Sequence, residues 1–463
     1  GRRSSRCRKG RGRVAAAAEA EAEAADDLSP KVVWKDIVRF VVPCYALVVT
    51  NMVLTALDKS FIGRASSLQL AALGPPTAVF DCSSYLLTFM NTAALSLLGS
   101  EPKERLNRIR SHSLAFSTLS GVVQGGLLLA LALPAVSLLG SRGAMLPFSI
   151  LYLQIRALGS PVDRVGSITT QFWLAEKDGV TPMLATLIAA SLNAAGDFLL
   201  CPHYGVAGAG IATVAASAAS AVFLVHRLRQ RRIFPQPLEW PRPRDFAPFA
   251  AFAGAIFVML LMKVLLFALM TAGAAALGTA PGAAHQVLVT VFFIAGIAFA
   301  QPLSWAAQAF LPGALRATSE ERKRTLRSLL AVAGALTGLS AVVASLMCRS
   351  CLGWFTRDPL VRAQAASAAP AVAVFAAVYV VFLTFEGVAI ALKRTRSCLV
   401  LSTMLAIIGG LTISVMHSRS ILTLASLWSS MATLLAGATG LLAVIAFKRP
   451  WQVSERGEGD DAI

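Results

Sequence analysis

The chain has 463 residues, of which 56% are hydrophobic and 14% are charged, and its Lys and Arg outnumber its Asp and Glu by 42 to 24. Soluble domains contain about 25% charged residues, so the composition excludes a soluble enzyme and predicts a polytopic membrane protein. The basic residues lie in short groups between apolar stretches, whereas a nucleic-acid-binding protein collects them on one folded face. We therefore expect a lipid bilayer, and no nucleic acid, among the partners of this chain.

Residues 1–30 differ in composition from the rest of the chain. Residues 1–13 hold seven Lys and Arg without an acidic residue, and an Ala/Glu-rich run follows them. A basic leader that contains serine and lacks acidic residues is typical of an organellar transit peptide, and a disordered basic tail is the alternative. We predict a transit-peptide remnant over residues 1–30 and an acidic disordered tail over residues 450–463.

Twelve apolar segments follow the leader. Each is long enough to cross a hydrocarbon core of about 30 Å at a helical rise of about 1.5 Å per residue. They predict an all-helical polytopic membrane protein with twelve transmembrane helices, numbered 1 to 12 in chain order. The predicted helices cover roughly residues 36–57, 68–99, 112–140, 147–174, 182–201, 205–226, 246–272, 283–311, 325–348, 365–392, 397–417 and 421–447.

The positions of the basic residues support this helix count. From Lys31 onwards, 25 Lys and Arg lie in the termini and in the loops that follow even-numbered helices, against seven in the loops that follow odd-numbered helices. Positively charged residues stay on the side of the membrane that is not translocated. The pattern therefore places both termini on the cytosolic side, or on the stromal side of a plastid membrane. We call this side the basic face.

The spacing of the helices repeats. Predicted helices 2, 3 and 4 begin near residues 71, 112 and 152, and predicted helices 8, 9 and 10 begin near residues 283, 325 and 365. Two six-helix halves of the same orientation imply a pseudo-twofold axis along the membrane normal, which is common in transporters and which a receptor or scaffold would not need. We predict an N-terminal lobe over residues 31–229, an inter-lobe linker over residues 230–245 and a C-terminal lobe over residues 246–449.

Charged side chains inside membrane spans are costly and are usually functional or paired. The clearest in this chain are Asp58, Asp81, Asp197, Lys263 and Glu386. Arg156, Asp163 and Arg164 cluster in predicted helix 4, and we interpret them as a structural network. Of the seven scattered cysteines, Cys348 and Cys351 form one CxxC without a second ligand pair, so we expect no metal site and no cofactor.

Several runs of residues resemble one transporter family. Predicted helix 1 contains PCYALVVTNMVLTALD (residues 43–58), predicted helix 4 contains YLQIRALGSP (152–161), and predicted helices 5 and 6 contain SLNAAGDFLL and YGVAGAGIAT (191–213). In this order and spacing they resemble the multidrug and toxic compound extrusion (MATE) family over residues 32–449. The runs GPPTAVFDCSSYL, QPLSWAAQAFLPG and FEGVAIALKR further resemble the plastid-envelope branch of plant MATE transporters, which includes a transporter of the salicylic-acid pathway.

The resemblance implies an H⁺- or Na⁺-coupled antiporter of organic solutes with a cation-coupling site in its N-terminal lobe. Asp58, fifteen residues after Pro43, matches the family's helix 1 Asp. Asn193 and Asp197 reproduce the family's Asn-xxx-Asp of helix 5, and Thr213 is the fourth candidate. The four-residue spacing puts Asn193 and Asp197 on one helical face. Their oxygens suit a Na⁺ ion, and two neighbouring carboxylates would equally share a proton. Alternatively, Asp58 and Asp197 cap helix ends at the membrane interface.

The C-terminal lobe departs from other MATE branches, because Lys263 occupies the position of a coupling Glu in helix 7 and predicted helix 10 offers Glu386 instead. An intramembrane Lys either pairs with Glu386 or meets an anionic substrate, and in a third interpretation it extends to the interface. Salicylate and compounds of the chorismate pathway are carboxylates, so a cation in the cavity fits them. We predict a substrate cavity that includes Asp81, Lys263, Gln301 and Glu386.

The sequence thus predicts a MATE-type antiporter that exports a small organic solute, anionic or aromatic, in exchange for H⁺ or Na⁺ by alternating access of two lobes. We expect a monomer in the plastid envelope, with the plasma or vacuolar membrane as the alternative location. We expect no enzyme, because the apolar segments contain no HExxH, GxSxG or paired-Asp motif. A flippase for lipid-linked precursors, of the same superfamily, and a receptor or scaffold without transport are the alternative hypotheses.

Overall fold

The computed structural model describes residues 34–448, with gaps at residues 66, 140, 316–318 and 356–357. Within the helices, the side chains of residues 51–65, 67, 70–71, 103, 243–251, 315, 354 and 447–448 also lie outside the described part. The predicted leader over residues 1–30 and the predicted tail over residues 450–463 fall outside the described residues.

Twelve helical segments, α1 to α12, follow the predicted helices one to one. The first six are α1 (Trp34–Ala65), α2 (Ser67–Leu86 and Thr88–Ser100), α3 (Lys103–Ala130 and Ala132–Leu138), α4 (Leu146–Ala175), α5 (Val180–Tyr204) and α6 (Val206–Gln230). The second six are α7 (Pro243–Ala276), α8 (Thr279–Phe292 and Ala298–Leu315), α9 (Ser319–Leu346 and Leu352–Phe355), α10 (Pro359–Ala391), α11 (Thr395–Ser418) and α12 (Leu424–Lys448). Short π-helical turns at Phe293–Ile297 and Met347–Cys351 join the parts of α8 and α9.

Nine helices within the described part of the chain are long and apolar enough, by length and composition, to cross a membrane. The other three segments are α1, α2 and α4. The second is interrupted at Leu87, and the fourth carries Arg156, Asp163 and Arg164, which lower its hydropathy. Every regular element of the described residues is a helix. The prediction of an all-helical polytopic fold with twelve helices is confirmed.

One tight junction between two helices depends on glycine. Gly205 has φ +55°, so α5 can end and α6 can begin at the next residue. This is the left-handed region, which glycine adopts without a steric penalty. A Cβ atom at Gly205 would lie 2.0 Å from Oε1 of Gln69, and the same oxygen accepts a hydrogen bond of 2.9 Å from the backbone nitrogen of Val206. Gln69 of α2 therefore fastens the start of α6.

Each half of the molecule is packed around its own helices. In the N-terminal half, α5 packs against α1 and α6, and α4 packs against α3 and α6. In the C-terminal half, α10 packs against α8, α9 and α12, and α7 packs against α11. Residues 382–391 of α10 are all buried, as expected for a helix that is apolar on every side. Any charged residue of this stretch therefore lies inside the C-terminal half.

Aromatic rings join the two halves. The contributing residues of the N-terminal half lie in the first part of α1 and the second part of α2, which are the parts nearest the basic face. The ring centroids of these pairs are about 5 Å apart, which is the range of favourable stacked and edge-on contacts. The pairs are Phe40 with Phe310 (5.5 Å), Tyr45 with Phe299 (4.7 Å) and Phe89 with Phe257 (5.5 Å).

Polar contacts join the halves at the same level. The Ser96 hydroxyl donates to the Ile390 carbonyl at 3.2 Å, and the Lys393 ammonium lies 3.0 Å from a carboxylate oxygen of Glu101. Both partners of this ion pair are partly exposed, so it contributes about 0–1 kcal/mol. The α2 and α10 ends that meet here both lead to the basic face, so the halves are in contact on that side.

The loop between α4 and α5 adds a further contact. The Lys177 ammonium lies 4.9 Å from the centroid of the Phe310 ring, which is within the range of a cation–π interaction. Burial lowers the pKa of Lys177, and the neighbouring carboxylates of Asp36 and Glu176 oppose that effect. A cation of the N-terminal half thus rests on an aromatic ring of the C-terminal half.

Candidate functional site

The N-terminal half contains a buried polar cluster on α5. Asn193 and Asp197 are 1% and 0% exposed. The amide nitrogen of Asn193 donates to Oδ2 of Asp197 at 3.3 Å, and the Cys201 thiol lies 3.7 Å from Oδ1 of the same carboxylate. The three residues follow one another at intervals of four and share one face of α5, as this spacing requires.

Two further predicted residues belong to helices that pack against α5. Asp58 lies in α1, but its side chain is outside the described residues, so its role stays a prediction. Thr213 is half-buried on α6, and its hydroxyl donates to the Ala209 carbonyl of its own helix at 2.9 Å. The two helices α5 and α6 approach closely next to the cluster, because a Cβ atom at Gly196 would lie 2.7 Å from the Cβ atom of Ala212.

The chemistry of this cluster follows from its burial. An ionised carboxylate without compensation is costly inside apolar surroundings. Protonation of Asp197, or binding of a cation by its oxygens, neutralises that charge. Oxygen donors of carboxylate and amide type are the ligands that hard cations prefer. The residue types of this cluster therefore suit either a proton or a small cation.

The C-terminal half contains a buried ion pair. The Lys263 ammonium of α7 lies 2.6 Å from Oε1 of Glu386 in α10, and the two side chains are 13% and 3% exposed. The ammonium also lies 5.7 Å from the centroid of the Phe382 ring. Of the alternatives left open by the sequence, the structure therefore pairs Lys263 with Glu386.

A small cavity of about 30 Å³ adjoins the ion pair. Lys263, Tyr379 and Ser402 supply its polar wall, and the rest of the lining is apolar. The hydroxyl oxygen of Ser402 and Oε2 of Glu386 are buried without a hydrogen-bond partner among the described residues. A cavity of this size accommodates only one or two water-sized groups, since one water needs about 10–15 Å³. Oε2 of Glu386 and the Ser402 hydroxyl therefore remain available for hydrogen bonds to a small polar group.

Two tyrosines near the pair were missed by the sequence reasoning. Tyr85 of α2 and Tyr379 of α10 are both close enough to interact electrostatically with Lys263. Tyr379 precedes Glu386 by seven residues, which is two helical turns, so this spacing could have indicated it. Tyr85 belongs to α2, so a residue of the N-terminal half lies near the Lys263–Glu386 pair.

The remaining predicted cavity residues lie elsewhere. Asp81 occupies an exposed position of α2, and Gln301 is half-buried on α8. Neither belongs to the lining of the small cavity beside Lys263. Their assignment to a substrate cavity stays a prediction.

The charged residues of α4 form the network that the sequence suggested. Arg156 and Asp163 form an ion pair at 3.7 Å, and the Arg156 guanidinium lies 4.1 Å from the centroid of the Phe80 ring. The Arg164 side chain donates to the Ser84 carbonyl at 3.4 Å. These contacts join α4 to α2, which is the behaviour of structural charges.

A family comparison covers most of the N-terminal half. The MatE family model matches residues 43–199, from Pro43 in α1 to the region of α5 that carries Asn193 and Asp197. Over these residues the chain is similar to the MATE family. The resemblance that the sequence motifs suggested is therefore confirmed.

Three plant proteins are similar to this chain. The chain is 28% identical over 326 residues to the protein DETOXIFICATION 47, chloroplastic, of Arabidopsis thaliana. This alignment covers 68% of this chain and 60% of that protein. It spans about three-fifths of the length of the Arabidopsis relatives that it matches. All three Arabidopsis proteins are named as chloroplastic.

Solved MATE-type structures share the fold. A crystal structure described as MATE in the bent conformation superposes with a TM-score of 0.80 at 16% identity and covers 90% of this chain and 95% of that chain. A MOP superfamily transporter from Pyrococcus furiosus superposes with a TM-score of 0.78 at 15% identity, covering 89% and 95%. At these identities the likeness concerns the fold alone. The family and its structural neighbours are not enzymes, in agreement with the sequence expectation.

Proposed function

We propose that the protein is a MATE-type secondary antiporter that exports a small organic carboxylate in exchange for H⁺ or Na⁺. The observation that carries this proposal is one buried charged site in each half, Asn193–Asp197 in the first and Lys263–Glu386 in the second. An antiporter requires both a site for the coupling cation and a site for the solute. Ionisable residues buried within membrane segments mark such pathways.

The N-terminal cluster suits the coupling cation. Asp58, Asn193, Asp197 and Thr213 offer carboxylate, amide and hydroxyl oxygens on three helices that pack together. A proton gradient supplies about 1.4 kcal/mol per pH unit, and a membrane potential supplies about 2.3 kcal/mol per charge per 100 mV. Either gradient is sufficient to drive export of a small acid against its own gradient.

The C-terminal pair suits an anionic solute. Lys263 is a buried cation with the aromatic rings of Tyr379 and Phe382 beside it. The cavity of about 30 Å³ must widen to admit an aromatic solute, whose carboxylate would then pair with the ammonium while its ring contacts these side chains. Because Glu386 already neutralises Lys263, the incoming carboxylate must compete with Glu386 for the ammonium.

The contacts between the halves support alternating access. The aromatic and polar contacts on the basic face hold α1 and α2 against α8 and α10. A rocking motion that opens this side must break them, and the exposed Glu101–Lys393 pair is weak enough to break readily. The repeat of two six-helix halves is the architecture that performs such rocking in other transporters.

A second function is favoured by one specific observation. An apolar groove of about 680 Å³ lies between α2, α3 and α7, with Leu127 and Phe257 in its lining. Leu127 is 55% exposed, so the groove opens to the lipid. This geometry fits lateral entry of an acyl or prenyl chain, as a flippase for lipid-linked precursors would need. Such a substrate would not require the cation of Lys263.

Uptake into proteoliposomes tests the proposal. The purified protein is reconstituted, and radiolabelled salicylate is compared with its neutral amide under a pH gradient and, separately, a Na⁺ gradient. We expect uptake of the carboxylate to depend on one of the two gradients, and we expect no uptake of the neutral amide. Scrambling of a fluorescent polyprenyl-phosphate lipid without carboxylate transport would instead favour the flippase, and absence of both activities would contradict transport of these solute classes.

A further inference from the structure

A basic pocket on the basic face has no part in the two membrane sites. Four segments that are distant in sequence form it: the start of α3, the loop between α4 and α5, the end of α6 and the linker after α6. It encloses about 580 Å³. The lining residues with polar or aromatic side chains include Asn107, Arg110, Glu176, Arg229, Arg232 and Phe234.

Arg110 forms the inner wall of the pocket. One of its terminal nitrogens donates to a carboxylate oxygen of Glu176, and its side chain is 12% exposed. Its Nε atom is buried and has no hydrogen-bond partner among the described residues. Three arginines face a single carboxylate in this lining, so the pocket keeps an excess of positive charge and an unsatisfied donor.

Arg229 and Arg232 form the outer wall. The Arg229 guanidinium lies 5.0 Å from the centroid of the Phe234 ring, which restricts its orientation. Arg232 adopts φ +55° at the end of α6, a position at which helices usually carry glycine.

The pocket includes the first residues of the inter-lobe linker. The backbone nitrogen of Gln236 donates to the Asn107 side chain at 2.8 Å, and the Asn107 amide donates to the Pro237 carbonyl at 3.1 Å. The linker is therefore held against the start of α3, beside the arginines. A ligand in the pocket would contact the N-terminal half and the linker together.

We propose that the pocket of Arg110, Arg229 and Arg232 binds a phosphate-bearing anion and thereby fastens the linker to the N-terminal half. The guanidinium fork matches phosphate oxygens and forms paired hydrogen bonds with them. Basic pockets between transmembrane helices on the non-translocated side bind phospholipid headgroups. The phosphate can come from an anionic lipid headgroup or from a phosphorylated solute, because both present the same oxygens.

The test uses the full-length protein with two probes. Inorganic phosphate is titrated into detergent-purified protein by calorimetry, and retention of phosphatidylglycerol over phosphatidylcholine is measured by native mass spectrometry. The variant Arg229→Gln/Arg232→Gln removes two exposed charges of the pocket. The matched control Arg324→Gln/Arg396→Gln removes two exposed charges of the same face outside it. We expect the pocket variant to lose about tenfold or more in affinity, since charge-assisted hydrogen bonds are removed, and the control to bind like the unmodified protein.

The outcomes distinguish the two possible sources of the phosphate. If the unmodified protein binds inorganic phosphate and the pocket variant does not, the ligand is a soluble phosphate. If the unmodified protein retains phosphatidylglycerol selectively and the pocket variant does not, the ligand is a lipid headgroup. Hydrogen exchange at the backbone amides of Ile233, Phe234 and Gln236 in the unmodified protein should slow when the probe binds, a readout that needs no variant. Binding of neither probe, an equal loss in the control, or unchanged exchange of these residues would overturn the proposal.

Discussion

The Lys263 ammonium of α7 lies 2.6 Å from a carboxylate oxygen of Glu386 in α10, so the two helices are joined by a charge pair inside the C-terminal half. Each charge compensates the other at a site that is almost closed to solvent. Removal of one partner leaves the other as an uncompensated buried charge. Removal of both leaves two neutral side chains, which a protein interior tolerates more easily.

We therefore expect Lys263→Gln and Glu386→Gln to destabilise the protein by about 3–5 kcal/mol each, and the double variant to be much closer to the unmodified protein. Thermal unfolding in detergent measures this double-mutant cycle. If the double variant is stable but does not transport salicylate, the pair takes part in transport. If the double variant lost as much stability as the two single variants together, the coupling of the pair would be contradicted.

Asp197→Asn tests the cation site of the N-terminal half. The amide keeps the size of the side chain and its neighbours Asn193 and Cys201, but it cannot carry the exchangeable proton or the charge that attracts Na⁺. We expect gradient-driven uptake to be lost while the protein still purifies as a folded species. The exposed Glu320→Gln on α9 is the control for loss of a carboxylate. Full gradient-driven uptake by Asp197→Asn would rule out this coupling site.

Gly99→Ala tests the contact between the halves on the basic face. A Cβ atom at Gly99 in α2 would lie 2.6 Å from the Gln308 carbonyl oxygen of α8, so the backbones must separate. We expect a loss of about 1–3 kcal/mol and greater reactivity of a cysteine introduced at Ser96 towards a water-soluble maleimide. Gly126→Ala in α3, where a Cβ atom meets nothing within 4 Å, is the control. Equal effects of the two variants would disprove the close approach.

Gly205→Ala tests the junction of α5 and α6. A non-glycine residue is strained at this positive φ, and the new Cβ atom would also displace Gln69. Gly143→Ala is the matched control, since Gly143 has φ +56° and open space around it. We expect both variants to be less stable by thermal unfolding and Gly205→Ala to lose clearly more. A similar loss in both would mean that Gln69 does not restrict this junction.

The sequence predicted the helices well but not their ends. Predicted helix 3 begins at residue 112, whereas α3 begins at Lys103. The first turns of α3 carry Arg105, Arg108 and Arg110, which hydropathy assigns to a loop. A helix can extend beyond the bilayer with polar turns, and apolar length alone does not detect them.

The candidate site was predictable only where its residues share a helix. Asn193 and Asp197 were found from their spacing, because four residues make about one helical turn. The contact of Lys263 with Glu386 joins residues that are 123 positions apart, and only tertiary packing brings them together. The same holds for the pocket of Arg110, whose four segments share no pattern in the sequence.

The anchored linker has a mechanical consequence. Asn107 holds the chain on α3 as far as Pro237, and α7 begins at Pro243. The residues 238–242 between these points can extend by about 3.5 Å each, which gives a tether of about 20 Å. The start of α7 cannot move farther than this from α3 while Asn107 keeps its hydrogen bonds to the linker. The linker therefore limits how far the two halves can separate on the basic face.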